Sequence, residues 1–119
     1  MKIINLTQHA ATKTQNDQGV FDFLTDEQKS ELLNFEVIPT KADIADRAHV
    51  LANIAKDCGA NAAMIGGAPY LMGELSQVLK SYDIKPLYAF STRKVVEVLQ
   101  EDGSVKKSSI FEHLGFFEA

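Results

Sequence analysis

Three short apolar segments, Lys2 to Thr7, Ala62 to Ile65 and Leu87 to Phe90, each run directly into a polar or glycine-rich turn, with helix-patterned stretches between them. This pattern constrains the chain more than any other feature. Apolar runs of four to six residues read as buried strands, and strands separated by helices pair in parallel through right-handed crossovers. The expected fold class is α/β: a small Rossmann-like three-layer domain with a central, mostly parallel sheet.

The helical stretches carry their own punctuation. Thr25 and Gln28 fit a capping box, with Asp26 and Glu27 at the positive helix end, and Leu32, Leu33 and Phe35 supply an apolar face. Thr40 opens a second helix with Asp43 at its third position, and Ile44, Ala48, Leu51, Ile54 and Ala55 recur at helical spacing before Gly59. Pro69 suits the first turn of a third helix, whose core face is Leu71, Leu75, Val78, Leu79 and Tyr82. Gln8 to Gly19 is polar and unperiodic and reads as a loop. Val20 to Leu24 is an apolar patch of no assigned type. Past Arg93 the pattern changes: Val95 to Leu99 and Val105 to Phe111 flank Glu101-Asp102-Gly103-Ser104, a hairpin signal. The expected order is strand, two helices, strand, helix, strand and a C-terminal antiparallel hairpin at a sheet edge. With 119 residues and no linker or repeat, residues 1–119 form a single domain.

Composition narrows the function classes. A net charge of -4 and the lack of any Lys/Arg run argue against binding duplex nucleic acid, which rewards a basic face. Lys106-Lys107 reads as a solvated strand. The single cysteine, Cys58, cannot form an internal disulfide, and no Cys/His cluster suggests zinc. It reads as a small buried residue at a helix end. No stretch has the length of a membrane span, and the N-terminal apolar run is too short for a signal peptide. A cytoplasmic location, no membrane and no cofactor are the expectations.

In an open parallel sheet, ligands bind in the crevice outside the carboxyl ends of the strands. The expected site therefore gathers Asn5, Thr7 and His9 after the first strand, Gly66, Gly67 and Ala68 after the second, and Ser91 and Arg93 after the third. Glycines let backbone N–H groups approach a ligand, and the helix that begins at Pro69 adds partial positive charge, which suits a phosphate or carboxylate. The segment lacks the Gly-Lys-Ser/Thr of a P-loop and a full G-x-G-x-x-G. Arg93 would neutralise charge, and Asn5 and Thr7 would orient the ligand or brace the loop. His9 is the candidate acid/base should phosphoester or glycosidic-bond cleavage occur; whether the chain is an enzyme stays open. No carboxylate pair or Ser/His/Asp order stands out. His49 is expected to be exposed, and His113 to pack beside Phe111.

Asn5-Leu6-Thr7-Gln8-His9-Ala10-Ala11-Thr12 resembles the opening of a group of small bacterial and phage-associated proteins that begin N-L-T-x-H. Gly66-Gly67-Ala68-Pro69-Tyr70-Leu71-Met72 resembles a second segment of that group, and Phe111-x-His113-x-Gly115-Phe116 its ending. The resemblance carries over no catalytic residue. A looser, architectural similarity is to Rossmann-like CRISPR-associated domains, which bind cyclic oligonucleotides as dimers.

Two functions follow as expectations. One is a domain that binds a small anionic, nucleotide-like ligand at the strand ends. The alternative is a non-catalytic accessory protein of a mobile element, acting through a homodimer or partner interface built from the terminal hairpin and Phe116-Phe117.

Overall fold

A computed structural model describes residues Met1–Ala119. The elements are β1 (Ile3–Leu6), α1 (Lys13–Asp17), β2 (Val20–Phe21), α2 (Asp26–Leu33), α3 (Lys41–Asp57), β3 (Ala62–Ile65), α4 (Pro69–Ser81), β4 (Lys85–Leu99) and β5 (Val105–Glu118). They form a mixed α/β fold around one five-stranded sheet of order β2-β1-β3-β4-β5. The first four strands are parallel neighbours, and β5 returns antiparallel along β4.

Each long helix starts where its cap predicts. The Thr25 hydroxyl accepts from the Gln28 N–H at 3.1 Å, and Gln28 Oε1 accepts from the Thr25 N–H. Thr40 and Asp43 make the same reciprocal pair at the head of α3. Pro69 opens α4, where its missing N–H costs nothing.

Strand alternation divides the core in two. Ile4, Leu6, Ala63 and Ile65 point to one face, where they join Leu33 of α2, the small residues Ala48, Ala52 and Ala55 of α3, and the leucines of α4 in one cluster. Leu51, Leu71, Leu75 and Leu79 are fully buried there, each contributing roughly 1.5–3 kcal/mol through lost water contact. Ile3, Val20, Ala62, Met64 and Leu87 point to the other face and form a smaller cluster against Ala11 and Phe116. That face is shielded by α1 and the loop before it.

The imbalance has a topological cause. The chain moves outward from β1 to β2, then returns past β1 to β3 and β4. Crossovers of one hand that run in opposite directions place their helices on opposite faces, so α1 stands alone against α2–α4. After β4 the chain turns back as a hairpin, so no later crossover helix reinforces α1.

Two sequence expectations are revised and one open assignment is filled. The Gln8–Gly19 stretch is not wholly loop: it holds α1, capped by its own Thr12/Gln15 box. The Val20 patch supplies the edge strand β2. The third parallel strand does not end at Ser91-Thr92-Arg93. It continues through an irregularity at Phe90/Ser91 and becomes the first strand of the hairpin. The expected turn is present, with Asp102 Oδ1 accepting from the Ser104 N–H at 2.9 Å. The hairpin projects beyond the body as a ribbon. The molecule measures 58 × 34 × 24 Å, and its radius of gyration is 17.1 Å, against about 13.5 Å for a compact chain of this length.

Candidate functional site

The carboxyl ends of β1 and β3 lie side by side, in the register Leu6↔Ile65. Chain direction reverses between these two strands, because β1 connects outward to β2 while β3 connects the other way to β4. Neighbouring connections therefore part here and leave a gap at the sheet rim. A crevice of about 470 Å³ opens at this point. Its lip is Thr7, Gln8, His9 and Ala10 after β1, and Gly66 and Gly67 after β3; Thr12 and Gln15 of the α1 cap form one side, and Tyr88 and Ala89 of β4 the other.

The β1 lip is built by Asn5. This side chain is fully buried at the end of a strand, where an unpaired amide would be costly. All its polar capacity is used locally. Nδ2 donates to the His9 carbonyl and to Asp22 Oδ1, both at 2.7 Å, and Oδ1 accepts from the Thr7 N–H at 2.9 Å and the Thr7 hydroxyl at 2.7 Å. Asn5 therefore braces the loop and has nothing left to offer a ligand. Asp22, whose carboxylate also accepts from the Ala11 N–H, ties the same loop to the end of β2. The His9 side chain stays exposed on the lip.

The β3 lip is backbone. The N–H groups of Gly66, Gly67 and Ala68 donate to no protein acceptor. Ala68 is the N-cap of α4, and no side chain caps this helix start. Gly67 has φ +150°, a conformation that side-chain-bearing residues rarely adopt. The free amides and the helix dipole carry partial positive charge at one place. No Lys, Arg, Asp or Glu lines the crevice.

The structure thus brings together Thr7, His9, Gly66 and Gly67 of the expected site residues. Ala68 stands one residue behind the lip. Ser91 and Arg93 do not reach it, because β4 runs on past the rim instead of ending there. Ser91 lines a neighbouring hollow between α1 and the ribbon, shared with Thr12, Gln15 and His113. Arg93 lies further along the ribbon, exposed, opposite Phe111.

A family model matches residues 1–117. The chain belongs to the Uncharacterized protein MJ1673 family. No curated protein and no solved structure matches it. Membership in the family spans the crevice, α1 and both strands of the ribbon.

Other side chains take structural places. His49 is exposed and shares a hydrogen bond with the Tyr82 hydroxyl at 3.1 Å. His113 packs edge-on against Phe116, with ring centroids 4.9 Å apart, and its Nε2 meets Gln18 Oε1 at 2.7 Å. Its Nδ1 is buried without a partner, and burial holds its pKa below the ordinary histidine value. Cys58 caps α3, its thiol donating to the Ala55 carbonyl. No cluster of three or more His, Cys, Asp or Glu could hold a metal ion, and no helix is long and apolar enough to cross a membrane.

Sequence reasoning missed Thr12, Gln15 and Tyr88. The Thr12-x-x-Gln15 spacing is the same capping signal that marked α2, so α1 was findable. Tyr88 was assigned to the right strand, but nothing local tied it to the crevice.

Proposed function

We propose that this chain binds a small anionic, nucleotide-like ligand in the crevice between the ends of β1 and β3. The observation that carries the reading is the coincidence at one rim of a switch in chain direction, three unpartnered amides and an uncapped helix start. The strand order 2-1-3-4-5 is that of doubly wound, flavodoxin-like sheets, which bind at their β1/β3 switch point. In this reading the domain is Rossmann-like, and α1 is its reduced third layer. A phosphate would sit against the amides of Gly66, Gly67 and Ala68, with the Thr7 hydroxyl and His9 opposite. The apolar side of the crevice, Met64, Ile65 and Tyr88, would face the remainder of the ligand. The volume falls within the range of small-molecule sites. The exposed His9 ring makes no hydrogen bond that would orient it, so the geometry favours binding over turnover.

Calorimetric titration with a panel of nucleotides and inorganic phosphate tests this. A Cβ added at Gly66 would meet the Thr7 methyl at 3.5 Å, an ordinary contact. Gly66→Ala should therefore fold normally while its methyl occupies the crevice. The expected result is saturable binding of one nucleotide class, weakened roughly tenfold or more by Gly66→Ala and less by His9→Ala. Absence of binding across the panel, or equal affinity in wild type and both variants, refutes the reading.

A further inference from the structure

The ribbon is an unusual object for a protein to leave in water. A lone two-stranded hairpin is marginally stable at best, yet β4 and β5 stay in register from Ser91↔His113 to Leu99↔Val105. Directly opposed residues share a face. One face therefore exposes Val95, Leu99, Val105 and Phe111, and the other Val98 and Ile110. In addition, β5 ends the sheet, so its outer edge has unpaired N–H and C=O groups along its length. Such edges are usually blunted by lysine, proline or a bulge. Here Lys106 and Lys107 stand near the tip, while Ser108 to Phe111 carries no such guard.

The sequence of β5 is complementary to itself when reversed. In a two-fold antiparallel pairing centred on Ser109, residue numbers across the axis sum to 218. Lys106 then faces Glu112 of the second copy, and Glu112 faces its Lys106. On the opposite face Lys107 meets the other copy's Phe111. Registers centred on Ser108 or Ile110 place no lysine opposite a glutamate, and one centred on Glu112 pairs Lys106 with Glu118 but sets glutamate against glutamate at the axis. Within the protomer, Lys106 lies opposite Val98 and Glu112 opposite Thr92, so neither charge is satisfied by its own cross-strand partner. Cross-strand opposite charges stabilise sheets, and like charges oppose pairing.

We infer that the occupant of the β5 edge is a second copy of this chain, paired antiparallel about Ser109, so that two ribbons merge into one four-stranded sheet between the two bodies. Lys106 and Glu112 would then serve as the register marks that choose this pairing over others.

The test is the molar mass of the full chain in solution, by sedimentation or light scattering over a concentration series into the high micromolar range. Wild type should form a reversible dimer. Lys106→Glu and Glu112→Lys should each weaken it roughly tenfold or more, since each creates two like-charge contacts. The double exchange, K106E with E112K, should restore it. Circular dichroism checks that each variant remains folded. In a Cys58→Ala background, Ser109→Cys should oxidise to a disulfide-linked dimer, because opposed Cα atoms about 4.5–5.5 Å apart lie within disulfide reach. A strictly monomeric wild type overturns the inference and leaves the edge to a different protein. A dimer that both single reversals leave intact, with Ser109→Cys uncrosslinked, overturns it equally by placing the interface elsewhere.

Discussion

Removing the Asn5 side chain should cost far more than its single position suggests. The amide makes four hydrogen bonds at 2.7 to 2.9 Å, and each contributes about 1 kcal/mol net, more where Asp22 is the partner. Their sum is about 4 kcal/mol. Truncation also orphans the partners, but the Asp22 carboxylate and the His9 carbonyl lie in exposed residues and regain water. The Thr7 N–H and hydroxyl, half-buried, regain less. Asn5→Ala should therefore destabilise the fold by about 2–4 kcal/mol. Urea unfolding followed by circular dichroism is the appropriate assay, because the chain contains no tryptophan. Hydrogen exchange at Thr7 to Ala11 should accelerate as the loop loses its anchor. Asn5→Asp makes a sharper comparison. It keeps the oxygen that receives Thr7 but sets a second carboxylate 2.7 Å from Asp22 Oδ1, so one of the two must take a proton. That variant should be weakest at neutral pH and recover as pH falls toward the carboxylate range. A loss below 1 kcal/mol for Asn5→Ala, with exchange at Thr7–Ala11 unchanged, would show that this amide does not hold the lip.

Two further outcomes follow from the geometry. The His113 pKa lies below its unfolded value of 6.5 because burial disfavours the charged ring, so protonation favours the unfolded chain. The neutral-state stability should be complete above pH 6.5 and decline as pH falls from there toward the lower folded pKa; urea midpoints across this window should flatten in His113→Phe. At Gly19, φ is +103° and an added Cβ would strike the Met1 carbonyl oxygen at 2.2 Å. Gly19→Ala should therefore cost at least about 1–3 kcal/mol and loosen the β1–β2 pairing, which thermal unfolding and exchange at Ile3 would register.

The parts of the fold visible in the sequence were those set by local chemistry. Threonine caps three residues ahead of Gln28 and Asp43, Pro69 at a helix start, and Asp102-Gly103 in a turn all act within a few residues of themselves. The two rims of the crevice were visible for the same reason, since glycines and short polar residues mark where strands stop. The end of β4 was hidden because Ser91, Thr92 and Arg93 look like a strand terminus only if one face must be buried. In a ribbon wetted on both sides, polar and β-branched residues can continue a strand indefinitely. Loop bracing was one of two readings open for Asn5, and the choice between them was not legible because its decisive partner, Asp22, lies just past β2, and the sheet order that makes them neighbours is not a local property. Arg93 was misplaced by the same extension of β4.

The projecting ribbon also changes how the molecule behaves in transport. Friction depends on shape as well as mass, and a body with a rod attached drags like a heavier sphere. A single 13.1 kDa chain with this outline has an enlarged Stokes radius and should leave a sizing column early, so an early peak by itself does not count chains.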